Sequence, residues 1–148
     1  MSQHLRVARL YFVLLGIFAV GRWLQGAFGV PYEKAHHVFS IVILTAISTV
    51  YYGAFTRRWR RYHVGQALVL GLILGLSAQL VIFAATLLSY ALGQATYFNH
   101  PTALNLDHPI PFGAQVLTIR LGGLVGNTIF SGIFGALGWA LGGLLPKD

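Results

Sequence analysis

The chain has 148 residues, of which 56% are hydrophobic and only 9% are charged, and its formal net charge at pH 7 is +7. Soluble domains carry about a quarter charged residues, so this composition excludes an ordinary water-soluble domain and indicates an integral membrane protein. The chain contains no cysteine, which excludes disulfides, thiolate metal ligands and cysteine nucleophiles.

The apolar stretches predict an all-α fold, a single membrane domain over residues 1–148 in which four transmembrane helices form a bundle. In chain order the spans cover residues 10–30, 38–56, 64–93 and 115–145, and residues 94–114 form one long loop. Arg22-Trp23 interrupts the place where a signal-peptide cleavage site would belong, so the first span is expected to be retained. The last two spans are longer than a perpendicular crossing needs and should tilt or project.

The distribution of basic residues predicts the orientation. Arg6, Arg9, the run from Arg57 to Arg61 and Lys147 share one face of a four-span protein with a single acid, Asp148. The opposite face carries the other two acids, Glu33 and Asp107, and only one basic residue, Lys34. By the positive-inside rule both termini and the arginine loop are cytoplasmic, which suits a multi-pass protein of a cell membrane, such as a bacterial inner membrane. No recognition module surrounds the arginine loop, so nucleic acid is not expected as a partner.

Small and polar residues recur at helical spacing and predict helix-packing faces. In the fourth span they include Gly135, Gly138 and Gly142, and small residues let helices approach closely within a membrane. Gln79 and Asn127 fall near mid-membrane on neighbouring antiparallel spans, where their amides are expected to pack together. These faces, with no recognisable catalytic motif, favour a non-enzymatic membrane protein: an accessory subunit of other membrane proteins, or a homo-oligomer.

Arg22 and Arg120 suggest a second function, because each lies in an apolar span that contains no carboxylate. A charge at membrane depth costs about 2.5–3.5 kcal/mol even on lenient insertion scales. Each arginine either reaches the outer interface, pairs with Glu33 or Asp107, donates to backbone carbonyls, or binds an anion. In the last case the protein is a carrier or binding protein for an anionic amphiphile, a lipid phosphate or a quinone. The polar ligand-binding residues are then Arg22, Arg120, Tyr97, Asn99 and His100.

A third hypothesis is a metal-dependent or redox membrane enzyme that uses residues of the outer face. The candidate metal ligands are Glu33, His36, His37, His100, Asp107 and His108. Histidine with carboxylate is metal-ligand chemistry, but the spacing matches no zinc or di-metal motif. Haem within the bundle is disfavoured because no span has a histidine near its centre. The sequence therefore predicts no resident cofactor.

Overall fold

The structure, a computed structural model, describes residues 3–145 and is all-helical over that range. Lys147, which contributes to the charge pattern above, lies outside the described residues. The helices are, in chain order, α1 (Gln3–Val7), α2 (Arg9–Ala27), α3 (Tyr32–Ala35), α4 (Ile41–Arg60), α5 (Val64–Ala91) and α6 (Ala114–Gly142), with a 3-10 turn at Pro101–Leu104 between α5 and α6.

Three helices, α2, α5 and α6, are long and apolar enough to cross a membrane. The second predicted span is shorter than expected, because Ser40 caps α4: its hydroxyl accepts a hydrogen bond from the amide of Ile43 at 3.4 Å. The apolar part of α4, residues 41–56, rises only about 24 Å at 1.5 Å per residue, less than the ~30 Å of a bilayer core. The carboxyl-terminal ends predicted for the first and third spans also move inwards, since Gly29 and Gly93 adopt positive φ angles of 70° and 60° just after α2 and α5.

The arginine segment predicted as a loop is helical up to Arg60, and only Arg61, in the left-handed conformation at φ 53°, ends the helix. The guanidinium of Arg57 lies 4.1 Å from the ring centre of Trp139 and donates hydrogen bonds to the carbonyl oxygens of Trp139 and Ala140. This side chain therefore caps the carboxyl-terminal turn of α6. Residues 57–61 mark what we call the arginine end of the bundle.

Glycines bring α4, α5 and α6 into close contact. Gly138 and Gly142 lie against the backbone of Val50 and Ala54 on α4, so α4 and α6 run parallel. Gly135 lies against the carbonyl oxygen of Ala67 on α5, to which α6 is antiparallel. A Cβ at Gly142 would approach the backbone of Ala54 to 2.6 Å. The predicted small-residue face of the fourth span therefore packs inside this chain.

Helix α2 lies over the junction of α4 and α5 and is joined to both by Tyr11. The Tyr11 hydroxyl lies 3.0 Å from the Thr45 hydroxyl oxygen and donates to the carbonyl oxygen of Leu74 at 3.0 Å. Both Tyr11 and Leu15 are buried in the core. Helices α2 and α5 thus run in one direction and α4 and α6 in the other.

The amino-terminal end of α4 is recessed within the bundle. Because Val50 lies beside Gly138, the first turn of α4 lies beside the middle of α6. Ile41 also shares a cavity with Ile82, beyond which α5 continues to Ala91. The segments 28–40 and 92–113 lie at this end, which we call the loop end.

Candidate anion-binding site

A cavity of about 260 Å³ lies at the recessed start of α4 and contains both span arginines. Arg22 comes from α2 and Arg120 from α6, whereas Ser40, Ile41 and Val42 supply the first turn of α4. The remaining wall comes from α5 and from the segments at the loop end, and includes Tyr32, His36, Tyr97, Phe98 and Thr102. The sequence suggested that the two arginines lie at a similar depth and bind one ligand together, and in the structure both line this cavity.

Arg22 is held by neutral groups. Its guanidinium donates to the carbonyl oxygen of His36 at 2.9 Å and to the hydroxyl of Tyr32 at 3.3 Å. Its Cζ also lies 5.7, 5.6 and 5.8 Å from the ring centres of Tyr32, Tyr97 and Phe98 respectively. All three distances fall within the range of cation–π attraction. The charge is therefore oriented, but it is not neutralised by these contacts.

Arg120 contacts the segment 92–113, to which Tyr97 and Phe98 belong. One terminal nitrogen donates to the carbonyl oxygen of Phe98. Its Nε atom is buried and has no hydrogen-bond partner among the described residues. A guanidinium carries five donors in a fixed fork, so Arg120 retains donor capacity beyond its contact with the loop.

The first turn of α4 adds a third source of positive potential. The initial amides of a helix have no intrahelical acceptor, and the helix dipole places about half a positive charge at this end. Ser40 accepts only from Ile43 through its side chain, whereas Ile41 and Val42 line the cavity. Such a helix start favours anions.

No acidic residue lines this cavity within residues 3–145. The sequence left open a pairing of the arginines with Glu33 or Asp107, but the hydrogen-bond acceptors of Arg22 and Arg120 are carbonyl oxygens and a phenol. The site is thus a basic cavity with two fixed charges.

Tyr97 lies in the wall and is 2% exposed. Its hydroxyl donates to the carbonyl oxygens of Val30 and Pro31 at 2.9 and 3.1 Å, which joins the two loop-end segments. Burial raises the pKa of the Tyr97 phenol, although the nearby Arg22 charge acts in the opposite direction. The phenol therefore stays protonated and serves as a donor.

Asn99 and His100 do not line the cavity. The Asn99 amide accepts from the amide of Thr96 at 2.8 Å and donates to the carbonyl of Gln94 at 3.0 Å, so it organises the loop. The ring of His100 stacks on Tyr32 with 4.4 Å between centroids. Neither residue is therefore part of the cavity wall, although His100 contacts the wall residue Tyr32.

Among the residues missed from sequence, Ser40 carries a readable signal, a helix cap before an apolar run. Phe98 carries none, because its contribution is a carbonyl oxygen placed by the loop. Tyr32 could have been identified only through its contacts with Tyr97 and His100, which are distant from it in the chain.

The predicted metal ligands are spread over the loop end. His36 and His37 meet edge to face at 5.3 Å between ring centroids, and His36 lines the cavity. In the part of the chain that the structure describes, no three His, Asp or Glu side chains lie together closely enough to hold a metal ion.

Gln79 and Asn127 approach the same space between α5 and α6. Their amide atoms lie 3.8 and 3.7 Å from the position that a Cβ would take at Gly123. Ser131 donates to the main-chain carbonyl oxygen of Asn127 at 2.8 Å. Neither residue lines the basic cavity, but Gln79 lies one helical turn from Ile82, which does, and Gly123, beside both amides, lies one turn from Arg120.

Comparison of the chain with protein-family models, with curated proteins and with solved structures gives no match.

Proposed function

We propose that this chain is an integral membrane protein that binds the anionic head group of a membrane amphiphile between Arg22 and Arg120. The observation that carries the proposal is the convergence of these two arginines and the start of α4 on one cavity, which no acidic residue of the described range 3–145 lines. Such an arrangement stabilises negative charge from three directions.

The cost of placing two arginines in apolar helices supports a ligand. Each guanidinium at membrane depth costs about 2.5–3.5 kcal/mol, and carbonyl contacts offset only part of this. An oxyanion that accepts charge-assisted hydrogen bonds would neutralise both side chains at once. Backbone that is not helical at such a depth is also tolerated where it lines a polar cavity, as it does here at Tyr97 and Phe98.

The shape of the site supports an amphiphile. The volume of about 260 Å³ is below the ~300–1,000 Å³ of pockets that enclose drug-sized ligands, so it suits a head group alone. The rim is mixed: Thr102 and Asn105 are exposed polar residues, whereas Val42 is an apolar residue with 52% of its surface exposed. A head group can enter while its hydrocarbon chain stays beside Val42 in the lipid.

The proposal includes a topology. Helix α4 would cross the membrane as well as α2, α5 and α6, although the recess shortens it at its outer end. The arginine end of the bundle and both termini would face the cytoplasm. The cavity then belongs to the outer leaflet of a cell membrane, such as a bacterial inner membrane.

Assembly with other membrane subunits or with a second copy was the function that the glycine faces favoured. In the structure α4 packs against Gly138 and Gly142, and α5 packs against Gly135. These glycines are explained without a partner, so head-group binding is the better-supported proposal.

Native mass spectrometry of the full chain in mild detergent tests the proposal. We expect an anionic lipid to co-purify with the wild type and to be lost from Arg22→Gln and Arg120→Gln. A charged hydrogen bond contributes about 1.5–3 kcal/mol, so affinity should fall roughly tenfold to a hundredfold. Arg120→Lys, which keeps the charge, should retain part of the binding.

Arg60→Gln is the matched control, because Arg60 is an exposed arginine at the opposite end of the bundle. It should leave the bound lipid unchanged. Identical lipid profiles in the wild type and in both cavity variants would refute head-group binding. A retained neutral quinone in place of an anionic lipid would refute the charge argument.

A further inference from the structure

We infer that the group bound in the cavity is a phosphate monoester, the terminal phosphate of a lipid. This inference rests on the proposed function and specifies its ligand. It follows from the number of positive groups around the cavity and from the directions in which they approach.

Charge favours a doubly negative group. Arg22 and Arg120 each carry one positive charge, and the start of α4 adds about half a charge. No carboxylate lines the cavity in residues 3–145. A carboxylate or a phosphodiester, with one negative charge, would leave net positive charge in a poorly solvated place. A phosphate monoester carries about −1.5 to −2 at pH 7 and nearly balances it.

Geometry favours three free oxygens. The positive groups belong to three separate helices: the guanidinium of Arg22 on α2, that of Arg120 on α6, and the start of α4, where Ile41 and Val42 line the cavity. A terminal phosphate presents three strong acceptor oxygens. A phosphodiester or a carboxylate presents only two free oxygens, and a quinone carbonyl presents one. A monoester is thus the group that can meet all three helices together.

Other titratable groups face the same space. His36 lines the cavity, and the phenols of Tyr32 and Tyr97 form part of its wall. A comparison of two anions at the same pH removes the contribution of His36 and of the two phenols, because these groups act on both anions.

The test is a competition in native mass spectrometry between phosphatidic acid and phosphatidylglycerol with identical acyl chains, offered together to the detergent-solubilised full chain. At pH 8 we expect phosphatidic acid to be bound with roughly tenfold preference. At pH 5, below the second phosphate pKa of about 6, the monoester loses one charge and the preference should shrink severalfold. The Arg60→Gln variant should show the same preference and the same pH dependence.

Equal binding of the two lipids at pH 8, or a preference for phosphatidylglycerol, would overturn the monoester inference while leaving head-group binding intact. Binding of neither lipid above the level of the Arg22→Gln/Arg120→Gln double variant would instead overturn the proposed function. Inorganic phosphate is the third probe: if millimolar phosphate displaces phosphatidic acid, the ligand is a soluble phosphate and the assignment to a lipid fails. Retention of the lipid against phosphate supports it.

Discussion

Arg120 donates a hydrogen bond to the carbonyl oxygen of Phe98, and the ring of the same Phe98 lies 5.8 Å from the guanidinium carbon of Arg22. One loop residue is therefore held between two arginines from helices at different places in the chain. This contact fixes the loop over the recessed start of α4 and explains why both charges line one cavity.

Tyr97→Phe tests the connection between the loop-end segments. The variant loses the hydrogen bonds to Val30 and Pro31 and should lower the free energy of unfolding by about 1 kcal/mol. Thermal unfolding in detergent measures the change. Tyr51→Phe is the control, because the Tyr51 side chain is 57% exposed; an equal loss in both variants would contradict the assigned role.

The same phenol predicts a pH dependence. Burial raises the pKa of Tyr97 in the folded protein, so above its ordinary value of about 10 the unfolded chain releases the proton first. The stabilisation is complete below that pH and is lost as the pH rises towards the folded-state pKa. The stability difference between wild type and Tyr97→Phe should therefore shrink in alkali; a difference that grows above pH 10 would contradict the raised pKa.

Gly138→Leu tests the contact between α4 and α6. A side chain at Gly138 would meet the backbone of Val50, and overpacking of this kind typically costs about 1–3 kcal/mol. We expect a lower melting temperature in detergent. Gly126→Leu, on the same helix, is the control because nothing lies within 4 Å of a Cβ there; a wild-type melting curve for Gly138→Leu would mean that the helices are not in this register.

Arg57→Gln tests the cap at the arginine end. The variant loses the stacking on Trp139 and two hydrogen bonds to the end of α6. Together these should cost about 1–3 kcal/mol of stability. Arg60→Gln removes an exposed arginine of the same helix and should change stability little. If Arg57→Gln and Arg60→Gln had the same melting temperature, Arg57 would affect stability through the net charge and not by capping α6.

Cysteine labelling tests the topology, since the chain has no cysteine of its own. In intact cells, Asn105→Cys should react with an impermeant reagent, and Arg60→Cys should react only after the membrane is permeabilised. Labelling of both sites from one side would show that α5, the helix between them, does not cross. Labelling of Arg60→Cys alone in intact cells would reverse the proposed orientation.

The long apolar runs were sufficient to predict the helical fold, because apolar stretches of this length have few other stable forms. Helix ends were less predictable. The Ser40 cap and the positive φ of Gly29 and Gly93 shorten three spans, and Arg57 continues α4 because its side chain finds carbonyl acceptors on α6. The residues at which the helices end depend on such contacts, which the hydropathy of the sequence does not indicate.

The site was predictable only in part. Arg22 and Arg120 could be identified from sequence as charges without local acids, and their positions near helix ends suggested a similar depth. The recess of α4 could not be deduced, since it depends on the register between Val50 and Gly138. The sequence suggested Asn99 as a ligand-binding residue, but in the structure its side-chain amide forms hydrogen bonds within the loop.

The most direct test of the central claim is a nitrogen–phosphorus distance measurement by solid-state NMR. Protein with ¹⁵N-labelled arginine side chains would be reconstituted with phosphatidic acid in a phosphorus-free detergent or lipid matrix, and the dephasing of arginine signals by ³¹P would be recorded. We expect a close guanidinium–phosphate contact that persists in Arg60→Gln and disappears in the Arg22→Gln/Arg120→Gln double variant. Equal dephasing in the wild type and the double variant, or none in either, would contradict it.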